Sequence, residues 1–356
     1  MPVTVRSFAK INLGLCIGPV RSDGFHELRT IYQTIALHDV IRVEVVRGAG
    51  IEICCDDSRV PKDGSNTCYR ILERALAVLK ARGRVIIHID KRLPVQGGLG
   101  GASANAVASL LALERALKKE LPVPERLRLA AEVGSDLPLF LIGGTTLGVG
   151  RGEEVYPLPD LAAVPCVVAT PRIGVSTPRA FADWDALCGT GAPALADLKN
   201  REGHDFSRAK KAVIQRKLTP SSASDRISEF SRRLASWLSA QQKTKSGKGL
   251  SGVPASGRGR AETPLLDLVR TGIENDFEQV VFPEYPELRE VKRVLERAGA
   301  LYASLSGSGS AIYGLFASRA AAEGAAARLR KTGVDVHVTA TLTRRQYWRK
   351  FLVSDF

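Results

Sequence analysis

Over residues 3–18, "VTVRSFAKINLGLCIG", apolar positions follow one another at a strand's spacing, which predicts one or two strands. Residues 42–56, "RVEVVRGAGIEICCD", read as a hairpin turning around Gly48 and Gly50. The period then changes. Apolar residues at 71, 72, 75, 76, 78 and 79 fall on one helical face, with Asn66 as cap and Gly83 as stop. A strand over "RVIIHID" follows, then a run of glycines, a helix from about 103 to 118, and another over 123–133 ending at Gly134. The glycines of "FLIGGTTLGVGRGEE" predict a tight hairpin.

A second unit begins near Val155. It opens with a strand in "AVPCVVATPR" and a helix in "TPRAFADWDAL", with Thr177 as cap and Pro178 in the first turn. Residues 207–218 and 224–240 are helix-like, and Ile227, Phe230, Leu234 and Leu238 make one stripe. The Gly-, Ser- and Lys-rich stretch 240–262 predicts a mobile loop. From residue 301 onward the pattern gives strand, turn, strand, helix, strand. Helices and strands mixed without strict alternation predict α+β layers in two domains, 1–155 and 156–356.

Composition changes this picture little, but charge does. No apolar run reaches the eighteen or so residues of a membrane span, and a lysine interrupts the only apolar stretch near the N-terminus, which argues against a signal peptide and for a cytoplasmic protein. Six cysteines without CxxC spacing read as reduced, structural thiols, not metal ligands. The formal charge of +14 would suit a nucleic-acid binder, yet residues 198–262 hold 15 Lys+Arg against 5 Asp+Glu and so carry about ten of it. The mildly basic remainder suits small polyanions such as nucleotides, and RNA binding stands only as a rival. The basic segment itself reads as a solvated insertion, with a contact to an oligomer partner or an anionic molecule as the alternative.

The sharpest chemical signal is "PVQGGLGGASANA", residues 94–106, with four glycines in five positions just before a helix. Glycine loses more backbone freedom on folding than any other residue, so such a run calls for close approach to the main chain. Amides of the loop, together with the unpaired N–H groups opening the helix, would converge on an anion. A plain tight turn is the structural alternative. A Walker loop is excluded because no Lys follows the glycines, and the dinucleotide fingerprint fails because Ser103 stands where a third glycine is needed.

This loop resembles that of the GHMP kinase superfamily. "SFAKINLGL", "RSDGFHELRTIYQTI", "ENDFEQVVFPEYPEL" and "SLSGSGSAIYGLF" are similar to the branch that phosphorylates a cytidine-diphosphate-linked methylerythritol. The resemblance spans the chain outside about 198–262. It implies a ribosomal-protein-S5-like N-terminal domain, a ferredoxin-like C-terminal domain and an active site in the cleft between them. It also implies transfer of the γ-phosphate of ATP, with Mg²⁺, to a tertiary hydroxyl in the non-mevalonate isoprenoid route. Other members, acting on homoserine or mevalonate, are the rival within the superfamily. The chain departs from the usual loop at Gln96 and Ala102, where glycines are common, and at Ala104, where a serine is.

Carried over residue by residue, the resemblance makes Lys10 and Asp136 the catalytic pair, the carboxylate taking the acceptor's proton. The alternative for Asp136 is to cap the next helix. Pro94, Gly97, Gly98, Leu99, Gly100, Gly101, Ser103 and Asn105 would bind ATP. Asn12 lies two residues from Lys10, so both side chains share a strand face. Asn12, Phe25, His26, Thr177 and Phe181 would bind the second substrate, the two phenylalanine rings enclosing its cytosine. For Phe25 and His26 the bland alternative is core or turn. The turn at 304–311 would touch phosphates or brace the first loop, with a plain hairpin as the alternative. Metal ligands and oligomeric state are not legible.

Overall fold

A computed structural model describes residues 1–95, 97–188, 220–246 and 264–353. Its first sheet is built on a long hairpin, β1 (Val3–Val20) and β2 (His26–Val46). The first segment is thus a single strand, buried on both faces from Ser7 to Gly18, because material packs on either side of it. The ladder slips between Phe8 and Lys10 and again between Asn12 and Gly14. Such irregularities re-aim backbone groups, and here the Lys10 N–H leaves the ladder to donate to the Leu99 carbonyl at 3.0 Å.

β3 (Gly50–Cys54), β4 (Arg84–Asp90), β5 (Thr145–Val149) and β6 (Glu154–Pro157) complete this sheet in the order β3-β4-β2-β5-β6, with β1 on β2. The hairpin expected at Gly48 and Gly50 is not formed. β3 runs parallel to β4, which lies between it and β2. The glycines turn the chain, but a strand placed beyond β4 gains a partner the local pattern cannot reveal. The β5–β6 hairpin is present as expected.

Helices α1 (Thr67–Val78), α2 (Gly101–Leu117), α3 (Val123–Val133) and α4 (Leu137–Phe140) cover one side of the sheet. Asn66 caps α1 through its side chain, accepting from the Cys68 N–H at 2.9 Å. α2 is enclosed nearly all round, with Ala106, Leu110 and Leu113 fully buried.

The second sheet contains β7 (Pro165–Thr170), β8 (Tyr302–Leu305), β9 (Ile312–Leu315) and β10 (Asp335–Ala340), all antiparallel in the order β10-β7-β9-β8. With α5 (Thr177–Cys188), α6 (Pro220–Ser246), α7 (Pro264–Arg270), α8 (Glu278–Glu284), α9 (Pro286–Arg297) and α10 (Arg319–Arg330), this is a ferredoxin-like split βαβ arrangement. α11 (Arg344–Phe351), not foreseen in the sequence, closes with a capping box between Thr343 and Gln346 and seats Tyr347 on Phe8.

α6 corrects the reading of the basic segment. Phe230, Leu234 and Trp237 are buried against Ile11, Leu13, Tyr313 and Leu265, in the core that joins the two sheets. Asp225, Glu229, Arg232 and Arg233 lie away from this inner face, whereas Arg226 turns inward to pair with buried Asp276. Residues 240–246, expected to be loop, continue that helix, whereas the rest of the expected loop and the helix over 207–218 lie outside the described residues.

Candidate active site

The register of β1 on β2 sets opposite Asn12 a residue that the sequence did not single out, Tyr32. Cross-strand partners project to the same face, so Lys10, Asn12 and Tyr32 converge. The Lys10 ammonium donates to Asn12 Oδ1 at 2.6 Å and lies 3.4 Å from Asp136 Oδ2. Tyr32 donates to Asp136 Oδ1 at 3.1 Å. Burial beside that carboxylate pushes the Tyr32 hydroxyl well above the ordinary tyrosine range, so it remains a donor. Lys10 is 4% exposed and Asp136 32%, which leaves the carboxylate as the member of the pair that solvent or a ligand can reach. Asp136 precedes α4 but its side chain makes no capping hydrogen bond, so the capping alternative is not realised.

The glycine loop lies over the Lys10 stem. Gly98 and Gly100 have φ of 78° and 69°, a region side chains rarely adopt. A Cβ at Gly100 would stand 3.0 Å from Lys10 Cγ and 2.9 Å from Phe140 Cζ. The loop's carbonyls turn into the protein: Gly97 O accepts from Ala311 N, Gly98 O from the Ser306 hydroxyl and Leu99 O from Lys10 N. Among the described residues, no hydrogen-bond acceptor is found for the amides of Gly97 to Ser103. They stand beside the open end of α2, where an anion is favoured. Ala102 sits inside α2 with helical backbone, so the side chain replacing a family glycine there is accommodated; Gln96 lies outside the described residues.

The second glycine turn, residues 306–311, braces this loop. A Cβ at Gly309 would lie 2.5 Å from the Gly98 nitrogen, and one at Gly307 would lie 3.4 Å from both Lys10 Nζ and Asn12 Oδ1. Asn275 fixes the turn by donating to the Leu305 and Gly307 carbonyls at 2.9 and 2.8 Å. Adjacent to the first loop is a cavity of about 340 Å³, lined by Val60, Asn66, Ile89, Pro94, Leu99 and Asn105 among others. Behind it, fully buried Asp39 accepts from Lys91, from the Arg92 and Leu93 amides and from Asn105 Nδ2. Asn105 Oδ1 is thereby left buried with no partner.

The aromatic residues form a second group, linked to Asp136 through Tyr32, whose hydroxyl lies 3.5 Å from the Gly152 carbonyl. Phe25 is 54% exposed, and the Arg151 guanidinium carbon lies 5.0 Å from its ring centroid. Phe181 does not face Phe25. Its ring stacks on His26, at 5.1 Å and 10° between planes, and meets Phe277 edge-on. His26 is held at both nitrogens, by Gly18 O at 3.1 Å and Asp185 Oδ1 at 3.2 Å. The Thr177 hydroxyl, expected to cap α5, shares a hydrogen bond of 2.6 Å with Ser308 of the second glycine turn. It thus links the aromatic side of the site to the glycine side.

Family descriptions fit this arrangement. That of the "GHMP kinases N terminal domain" matches residues 66–144, and that of the "GHMP kinases C terminal" matches 262–335. A 4-diphosphocytidyl-2-C-methyl-D-erythritol kinase from Solibacter usitatus is 36% identical over 315 residues, which is 88% of this chain and 81% of the relative. The chain belongs to the GHMP kinase family. A relative from Acaryochloris marina with the same name is 31% identical over 345 residues, 96% of each chain. The crystal structure of a 4-(cytidine 5'-diphospho)-2C-methyl-D-erythritol kinase aligns with a TM-score of 0.65 at 27% identity, covering 95% of this GHMP kinase and 98% of that one. A homoserine kinase from Cytophaga hutchinsonii, 20% identical with a TM-score of 0.63, shares the fold. Both the α+β two-sheet architecture and the use of ATP follow from this membership.

Tyr32, Arg151 and Asp185 are the site residues that sequence reasoning missed. Strand register would have exposed Tyr32, but register is set by tertiary packing. The other two have no local signature at all.

Proposed function

We propose that this kinase transfers the γ-phosphate of ATP to the 2-hydroxyl of 4-diphosphocytidyl-2-C-methyl-D-erythritol, giving the 2-phosphate and ADP, in the non-mevalonate isoprenoid pathway. The observation that carries the reading is the placement of the Lys10–Asp136 pair. Gly100 of the glycine loop packs on the Lys10 stem, and Tyr32, which holds Asp136, reaches the Gly152 carbonyl in the turn that carries Arg151 over Phe25. The names of the relatives support the same substrate.

ATP lies with its phosphates on the Gly97–Ser103 amides and its base in the adjoining cavity, where Asn105 Oδ1 offers an acceptor. The acceptor alcohol approaches Asp136. Its oxygen bonds to the γ-phosphorus as the bond to the bridging oxygen of ADP breaks, and its proton passes to the carboxylate. A carboxylate is a weak base toward an alcohol, but in a loose phosphoryl-transfer transition state the proton leaves late, so orientation matters most. Lys10 and Tyr32 supply that orientation by holding one carboxylate oxygen each, and Lys10 also offsets charge on the moving phosphoryl group. Cytosine enters between Phe25 and Phe181, which requires Phe181 to part from His26. Stacking on a base contributes about 1–3 kcal/mol.

The described residues contain no group of three His, Cys, Asp or Glu able to cage a metal. The Ser103 hydroxyl, which lines the cavity beside the glycine loop, is the protein oxygen that would hold Mg²⁺ there, the other ligands coming from nucleotide phosphates and water. When bound, the ion neutralises charge on the β- and γ-phosphates. No helix among the described residues is long and apolar enough to cross a membrane, and the six cysteines are free, which suits a cytoplasmic enzyme. Residues 1–155 and 156–356 are taken as its two domains, although that boundary falls within β6 of the first sheet and α11 returns to pack on it.

ADP release measured with a panel of alcohols tests the reading. The cytidine-diphosphate alcohol should turn over far better than homoserine or mevalonate. Equal turnover of a nucleotide-free alcohol would refute the substrate assignment.

A further inference from the structure

We propose that Arg151 binds the diphosphate of the cytidine-diphosphate alcohol and so makes the kinase select a nucleoside diphosphate over the bare nucleoside. The inference rests on the substrate reading above and adds a residue to it. A substrate of this kind joins its base to its reacting alcohol through two phosphates. A cation is therefore needed between the base platform and the catalytic carboxylate, apart from the one that serves the transferred group.

Arg151 stands there. It lies in the β5–β6 turn between Gly150 and Gly152, whose φ values are 69° and 99°. At one end of the turn Gly150 O accepts from Leu28 N at 2.7 Å, close to Phe25 in sequence. At the other end, Gly152 O lies 3.5 Å from the Tyr32 hydroxyl, which is bonded to Asp136. The turn therefore spans from Phe25 to the carboxylate, with the guanidinium over the ring.

The side chain is also prepared for a ligand. Glu153 accepts from Arg151 Nε at 3.2 Å and from its backbone N–H at 2.6 Å, so both carboxylate oxygens are engaged on the far edge of the group. Neither Nη nitrogen has an acceptor among the described residues, although the side chain is only 32% exposed. A guanidinium fixed at Nε presents its Nη pair as a planar fork, the geometry that matches phosphate oxygens. Nearby cations are already engaged. Arg21 and Arg29 both pair with Glu27, and Lys10 is held by Asn12 and Asp136.

The test is calorimetric titration of the full chain with CDP and with cytidine, for the wild type, Arg151→Ala and Arg151→Gln. The glutamine retains a stem to pack on Phe25 without charge. The wild type should bind CDP at least about tenfold more tightly than cytidine, and both variants should lose most of that preference while keeping cytidine affinity and the KM for ATP. Retention of the preference in both variants would overturn the role of Arg151. So would an equal loss for both ligands, since that marks a residue that merely covers Phe25. A wild type that binds neither CDP nor cytidine would overturn the substrate reading, and this inference with it.

Discussion

The Tyr32 hydroxyl and the Asp136 carboxylate meet at 3.1 Å, on the oxygen that does not face Lys10. A carboxylate gripped at both oxygens by different donors has lost its rotational freedom before any substrate arrives. The catalytic geometry therefore depends on a strand register as much as on the two charged residues. Tyr32→Phe should lower kcat by about ten- to a hundredfold, the loss expected for a hydrogen bond to a charged group, with little change in either KM. An unchanged kcat would assign Tyr32 to packing alone.

The contact between the two glycine turns leads to a second expectation. At Gly309 the backbone φ lies outside the left-handed region, so strain from an added methyl group comes from its approach to the facing loop backbone, 2.5 Å from the Gly98 nitrogen and 2.7 Å from Gly97 C and Gly98 Cα. Gly309→Ala should push the phosphate loop outward, raising the KM for ATP severalfold while leaving affinity for the cytidine-diphosphate alcohol unchanged. Steady-state kinetics with each substrate varied in turn would show the split.

How much of this was legible in the chain depends on how local each signal is. The loop at 97–101, the helix after it and the cap at Asn66 are written in neighbouring residues, and all three form. The pairing of Lys10 with Asp136 lies outside local pattern and came through the resemblance. The parallel pairing of β3 with β4, the Tyr32 contact and the seat of α6 depend on residues tens to hundreds of positions away. Charge misled most. Fifteen cations in one segment obscured the Phe230, Leu234 and Trp237 stripe, although part of that periodicity was visible.

That stripe supplies a third prediction. Phe230 is 5% exposed and meets the space above Gly14 on β1. Phe230→Ala should lower the unfolding free energy by about 3–5 kcal/mol, as for other buried aromatic truncations, when measured by denaturant titration. A loss below about 1 kcal/mol would return α6 to the status of a solvated insertion.

Asp276 gives a pH dependence. Although Arg226 pairs with it and Ile17 N donates to it, burial pushes its carboxyl up to about 6. A folded pKa above the unfolded one means that the native state holds the extra proton, so this contribution is complete below about pH 4 and is lost as pH rises through about 6. The shift corresponds to about 3 kcal/mol. The stability difference between wild type and Asp276→Asn should therefore shift against the wild type by about that amount from pH 4 to pH 7. A constant difference would remove Asp276 as the titrating group.

The central claim concerns Asp136, and single-turnover formation of ADP by Asp136→Asn tests it most directly. With ATP and the cytidine-diphosphate alcohol both saturating, the rate should fall by at least about a thousandfold while the dissociation constants of both ligands stay within about threefold of wild type. A variant that still transfers phosphate at the wild-type rate would contradict the account.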